Sequence, residues 1–232
     1  MVILVPKIDC ILQTWQPAHM QNLFSANMPG LRFVINVMAF SLVALVPVLL
    51  IYVMRTPGFS SALMDGGPAL SRFLRQVLTN GLPVIFIVNY VGFFLFAVLN
   101  EKGTNSRDPA IFIFFDVVIR VALFLVLHAF IYVLSAGWFG SFGGSRATAL
   151  SVVAPTLARS ALFENISGVY LYATLVSALP LYVTAAGKSP ILRPFIGLFP
   201  KSIGAVSVAL LAFLLAAVCL TAIAAVILRL QS

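Results

Sequence analysis

The chain has 232 residues, of which 62% are hydrophobic and 9% charged. A soluble domain carries about 25% charged residues, so this chain has too little charge to coat a water-facing surface. The net charge of +8 arises from 14 Lys and Arg against 6 acids, spread over almost every loop. It forms no basic stripe of the kind that nucleic acid requires, and it suits anionic lipid headgroups.

The apolar residues come in blocks longer than about 18, the length at which a membrane span becomes the default. A barrel would show polar–apolar alternation in segments of about ten residues, and none is present. The chain is therefore expected to be all-α, a polytopic integral membrane helical bundle forming one domain over 1–232. It should hold about five transmembrane helices plus interfacial helices.

Residues 1–31 read as an interfacial segment. Ile11, Leu12, Trp15, Leu23 and Phe24 can form an apolar face, interrupted by Pro17 and ended by Met28-Pro29-Gly30. The first span is expected at 32–54, with Pro47 inside it as a kink and Arg55 at the headgroups. Asp65-Gly66-Gly67-Pro68 is a turn with helix-start character, followed by a short basic helix bearing Arg72 and Arg75. The second span is expected at 77–99. Asn80, Gly81 and Pro83 weaken its first turn, and Asn89 sits near its middle.

Asn100 to Pro109 is the clearest aqueous loop, and Pro109 suits a first helical turn. The third span, 110–136, carries Asp116, Arg120 and His128. Ionisable groups at such a depth need partners. Asp116 and Arg120 share a helical face by their i,i+4 spacing. His128 lies about 80° round from Arg120 at roughly 100° per residue. This span is expected to be the central packing post of the bundle. Residues 137–165 follow as a Gly-rich turn (Gly137, Gly140, Gly143, Gly144) and an interfacial helix, which Pro155 should interrupt.

The fourth span is expected at 166–186 and is the richest in hydroxyls, hence the one to face protein. The fifth, 203–228, is Ala, Val and Leu throughout, with small residues Gly204, Ser207, Ala212 and Ala216 that permit close packing. Five spans put the termini on opposite sides. The side of the N-terminus holds Lys7, Arg32, Lys102, Arg107, Lys188, Arg193 and Lys201. The other holds Arg55, Arg72, Arg75, Arg146, Arg159 and Arg229, so the tally does not orient the bundle. No internal repeat is visible.

The candidate intramembrane polar and ion-pair residues are Asp116, Arg120, His128, Asn89 and Glu164. A structural ion pair, completed by Asn89 or Glu164, competes with a relay or counter-ion for an anionic ligand. His128 reads as a hydrogen-bonded structural residue. Haem held by two histidines would need His19 inside a span, and no second ligand stands at zinc spacing. Gly143-Gly144-Ser145 resembles a fragment of a serine-nucleophile turn, but no histidine follows His128 to serve it. Cys10 and Cys219 lie at opposite ends of the chain and imply no disulfide framework. No catalytic set, cofactor site or metal site is expected.

Leu127-His128 ends a span, Phe142-Gly143-Gly144-Ser145 turns, Pro155 follows, and two more spans close the chain. Over residues 120–228 this order resembles the Yip1 family of small multi-span membrane proteins. Val153-Ala154 stand before the proline where that family has a tyrosine. The resemblance implies five spans, a cytoplasmic N-terminal segment and a non-enzymatic organising or trafficking role.

The reading reached from the residues is a non-enzymatic structural subunit or scaffold of a larger membrane complex of the secretion, conjugation or energy-transducing type. Its expected partners are other membrane subunits and anionic headgroups, and its expected site is the bacterial inner (cytoplasmic) membrane. The alternative is a small transporter or channel component that uses Asp116 and Arg120.

Overall fold

The computed structural model describes residues 24–25, 27–56, 58–59, 61, 65–102, 108–135, 146–201 and 203–231. Most of the expected N-terminal interfacial segment lies outside the described residues. So do residues 103–107 of the polar loop and the whole Gly-rich turn 137–144.

Every described element is a helix. In chain order these are α1 Gly30–Arg55, α2 Pro68–Gln76, α3 Leu82–Lys102, α4 Pro109–Ser135, α5 Arg146–Ala161, α6 Ile166–Lys188, α7 Arg193–Ile196 and α8 Gly204–Gln231. Five stretches are long and apolar enough to cross a membrane: α1, α2–α3, α4, α6 and α8. The protein is an all-α, multi-pass integral membrane bundle.

Local chemistry sets the helix ends. Asn165 caps α6, its side-chain oxygen accepting from the Gly168 N–H at 3.1 Å. Gly67, at φ 79°, turns the chain into Pro68, which starts α2 where a missing N–H costs nothing. The weak region around Asn80 and Gly81 is resolved as a π-helical turn, Val77–Gly81, that joins α2 to α3 without a break. Tyr170 explains that turn's glycine: a Cβ on Gly81 would stand 2.1 Å from the Tyr170 ring. Pro47 and Pro155 both lie inside continuous helices. The expected interruption at Pro155 is therefore not made. One lost backbone hydrogen bond is outweighed where a helix is held from outside, and α5 packs on α4, α6 and α8.

Neighbouring spans run antiparallel. Asp116 meets Tyr182 and Arg120 meets Thr174, so numbers rise along α4 as they fall along α6. Two apolar clusters fill the interior, one toward each membrane face. Phe24, Phe33, Phe93 and Phe112 belong to the first, with Phe24 and Phe93 stacked at 4.1 Å. Val48, Ile85, Phe124 and Tyr170 belong to the second.

The centre of the bundle is α6, not the charged span α4. It touches α1, α3, α4, α5, α7 and α8. In its most apolar stretch 61% of residues are buried, against 28% in α4 and 6% in α8. Small and hydroxyl side chains let neighbours approach α6 on all sides, whereas α4 turns Phe114, Val118, Val126 and Phe130 outward.

At the end where α4 begins, Asp108 clasps the chain. Its carboxylate accepts from the Ala110 N–H at 2.7 Å, capping α4, from the Ile191 N–H at 3.0 Å and from the Ser189 hydroxyl. Burial acts to raise its pKa, but the hydrogen bonds from Ser189, Ala110 and Ile191 prevail and hold it below the usual carboxylate value. A depressed folded pKa gives stability that is present above the unfolded value and lost as pH falls through the folded one. The melting difference between wild type and Asp108→Ala should therefore be constant from pH 8 to 5 and shrink below about pH 4. Thermal unfolding in detergent across that range checks it. A difference independent of pH down to the acid limit would refute the clasp.

Candidate functional site

The polar cluster lies in the middle of the bundle and joins four helices. It is built around Arg120 of α4, which has no exposed surface. A guanidinium presents five N–H donors in a fixed plane, so its partners must be placed to match. Nε donates to Asp116 Oδ2 at 2.6 Å, one turn earlier on the same helix. Nη1 donates to Asn89 Oδ1 at 2.5 Å on α3 and to the Thr174 carbonyl at 3.2 Å on α6. Nη2 is buried and has no hydrogen-bond partner among the described residues.

The partners are themselves held. Asp116 Oδ2 also accepts from the Tyr182 hydroxyl at 2.7 Å. The positive charge orients the Asn89 amide, oxygen toward Arg120, and Asn89 Nδ2 then donates to the Ser41 hydroxyl of α1 at 2.8 Å. The Ser41 hydroxyl in turn donates to the Val37 carbonyl, also at 2.8 Å. The Ser177 hydroxyl stands 2.7 Å from both Asn89 Oδ1 and the Thr174 carbonyl, and its single proton is shared between them. A continuous chain of hydrogen bonds thus crosses the bundle from Ser41 to Tyr182.

The face of Arg120 that is not hydrogen-bonded is packed. Its Cζ lies 4.6 Å from the Phe93 ring centre, a cation–π contact strengthened by desolvation. Gly92 makes room for the group: a Cβ there would stand 2.7 Å from Cζ and from Nη2.

Of the residues expected from the sequence, Asp116, Arg120 and Asn89 meet in this cluster. Glu164 does not. It is exposed in the turn between α5 and α6, where its N–H donates to the Arg159 carbonyl at 2.9 Å, and it makes no ion pair with any described residue. The turn carries it into water, where a carboxylate needs no partner. His128 is buried two turns beyond Arg120, its ring stacked on Phe124 at 4.1 Å, and its Nδ1 lacks a hydrogen-bond partner among the described residues. It belongs to the apolar packing of α4 and not to the cluster. Among the described residues no three of His, Cys, Asp and Glu gather as a metal set.

Sequence reasoning missed Ser41, Gly92, Phe93 and Tyr182. Gly92 had a readable signal, because it stands three residues after Asn89 and so on the same helical face. Tyr182 and Ser41 had none, since their bonds close across 66 and 48 residues.

Fold and cluster together define a multi-pass integral membrane protein whose ionisable interior is cross-linked to itself. Comparison with protein-family models, with curated proteins and with solved structures gives no match for this chain.

Removing one member of a buried ion pair leaves an uncompensated charge, at a cost of about 3–5 kcal/mol, whereas replacing both by apolar residues is often near neutral. Asp116→Leu should therefore destabilise the protein more than Asp116→Leu with Arg120→Met. Thermal unfolding of the purified proteins decides this, and a double variant that is the less stable would refute the pairing. Gly92→Ala should cost about 1–3 kcal/mol by crowding the guanidinium. That cost should largely disappear when Arg120 is already Met.

Proposed function

We propose that the chain is a non-enzymatic subunit or scaffold of a larger assembly in the bacterial inner membrane, of the secretion, conjugation or energy-transducing type. The observation that carries this reading is how nearly the polar cluster satisfies itself, with only Arg120 Nη2 left over in it among the described residues. Asp116, Asn89, Ser41, Ser177 and Tyr182 spend their hydrogen bonds on one another and on Arg120. Such a cluster locks four helices together and leaves little to offer a substrate. The long apolar faces of α1, α4 and α8 remain for lipid and for neighbouring subunits. The resemblance to Yip1-type membrane organisers supports the same reading.

One observation favours a second reading, a transporter or channel component. Arg120 Nη2 is a buried donor with no partner among the described residues, the kind of group that an anionic substrate passing through the bundle would engage.

Particle mass in a mild detergent separates the two. A subunit should elute with other chains, well above its own 25.0 kDa and the micelle. A lone monomer that exchanges substrate by counterflow in liposomes would overturn the assembly reading. The pair Asp116→Asn with Arg120→Gln, made together, should lower the melting point while the co-purifying chains are retained.

A further inference from the structure

We infer that α2 is a headgroup-binding helix, with Arg72 and Arg75 receiving the phosphates of anionic phospholipid. The first support is length. The apolar stretch Leu70–Leu99 has 30 residues, about 45 Å of helix, while the hydrocarbon core is about 30 Å thick. The excess of about ten residues takes in residues 70–76, the part of α2 inside that stretch, and the start of the π-helical turn. Since the π-helical turn joins α2 to α3 without a break, α2 is carried out of the hydrocarbon to the level of the headgroups.

The second support is the division of α2 into two faces. Leu70, Leu74 and Leu78 recur at four-residue spacing, and Leu74 and Leu78 are exposed. Arg72, Arg75, Gln76 and Thr79 occupy the opposite face, all exposed. Leucines against acyl chains and arginines against phosphates is the division that a lipid surface imposes on a helix.

The third support is the surroundings. A run of aromatic contacts marks the same end of the bundle: Phe73 on Phe59 at 4.9 Å, Phe59 on Tyr52 at 6.3 Å, Tyr52 on Phe163 at 5.7 Å and Phe163 on Tyr172 at 5.4 Å. Aromatic belts of this kind sit at the membrane–water boundary. The arginines are available. Arg72 Nε donates to the Pro68 carbonyl of its own helix at 3.2 Å, which leaves the two Nη groups, and neither arginine forms an ion pair with any described residue, Asp65 included.

The inference stands on the membrane fold and not on the assembly reading, so the two can fail separately. The protein, stripped of lipid in maltoside, is mixed with micelles holding equal phosphatidylglycerol and phosphatidylcholine, and the lipid retained per chain is measured. Wild type should retain phosphatidylglycerol in excess. Each arginine should contribute about fivefold to that preference, the equivalent of about 1 kcal/mol near an anionic surface. Arg72→Gln with Arg75→Gln should abolish the excess at an unchanged melting point. Arg72→Lys with Arg75→Lys should keep it, as should Arg193→Gln with Lys201→Gln at the opposite end. If the double glutamine variant does not fold, Arg75→Gln alone should lower the excess about fivefold by the same charge argument. Equal retention of the two lipids by wild type would overturn the inference. So would glutamine variants that keep the excess, or that lose a co-purifying protein while their lipid is unchanged.

Discussion

A guanidinium with no exposed surface, in the middle of an apolar bundle, is the constraint on which the rest of the structure depends. It must be neutralised, and its donors must be met in one plane. Asp116 neutralises it from one turn away on the same helix, so the charge is settled before any other helix arrives. Nη1 is then aimed at α3 and α6, and Asn89 carries the connection on to α1. Apolar side chains cannot set this registry in lipid, because acyl chains are as apolar as leucine and a slipped helix loses little. A slip of one turn in α3 or α6 would leave Arg120 short of its acceptors. The cluster thus specifies which residues of α1, α3, α4 and α6 share a depth.

The same logic explains why burial in this protein does not follow hydropathy. Of the five spans, α6 is the least apolar and the most buried, and α8 is the most apolar and the least buried. In water the most apolar helix would occupy the core. In lipid it has no reason to leave the acyl chains, and the interior goes to the helix that others can approach closely or bond to. Ala173, Ala178 and Ala186 give α6 the first property, and Thr174, Ser177 and Tyr182 give it the second. Charge in α4 made that span look central in the sequence, but charge demands a partner and not a central position. One polar face toward α3 and α6 meets the demand, and the opposite face of α4 stays with the lipid.

The fold was legible because span length and hydropathy act locally. The five expected spans end within a few residues of the helices found, apart from the second, which α2 and the π-helical turn extend toward the N-terminus. The cluster was legible in proportion to its locality. Asp116 and Arg120 are a pair within one helix and were visible as such. Asn89 was visible as a polar side chain in mid-span that had to have a partner. Tyr182 and Ser41 were not, since their roles exist only once helices far apart in sequence are set side by side. Glu164 was misplaced for a related reason: composition shows a carboxylate near a span, while the geometry of a turn decides whether it points into the bundle or into water.

What the cluster does not reach is as informative as what it does. None of its members lies on α8. That helix is placed by small residues, with Ala209 and Ala224 buried and Gly204 so close to Ile196 of α7 that a Cβ would stand 2.7 Å from it. The span with the broadest outward apolar face therefore packs by fit, outside the polar cluster. Fit of that kind is available to a second protein as readily as to α5 and α6, because in lipid both are recognised by close approach and not by hydrophobicity. Under the proposed assembly role, α8 is the face where a neighbouring subunit adds with least disturbance, since α8 packs on α5 and α6 but contributes no side chain to the polar lock that holds α1, α3, α4 and α6 in register.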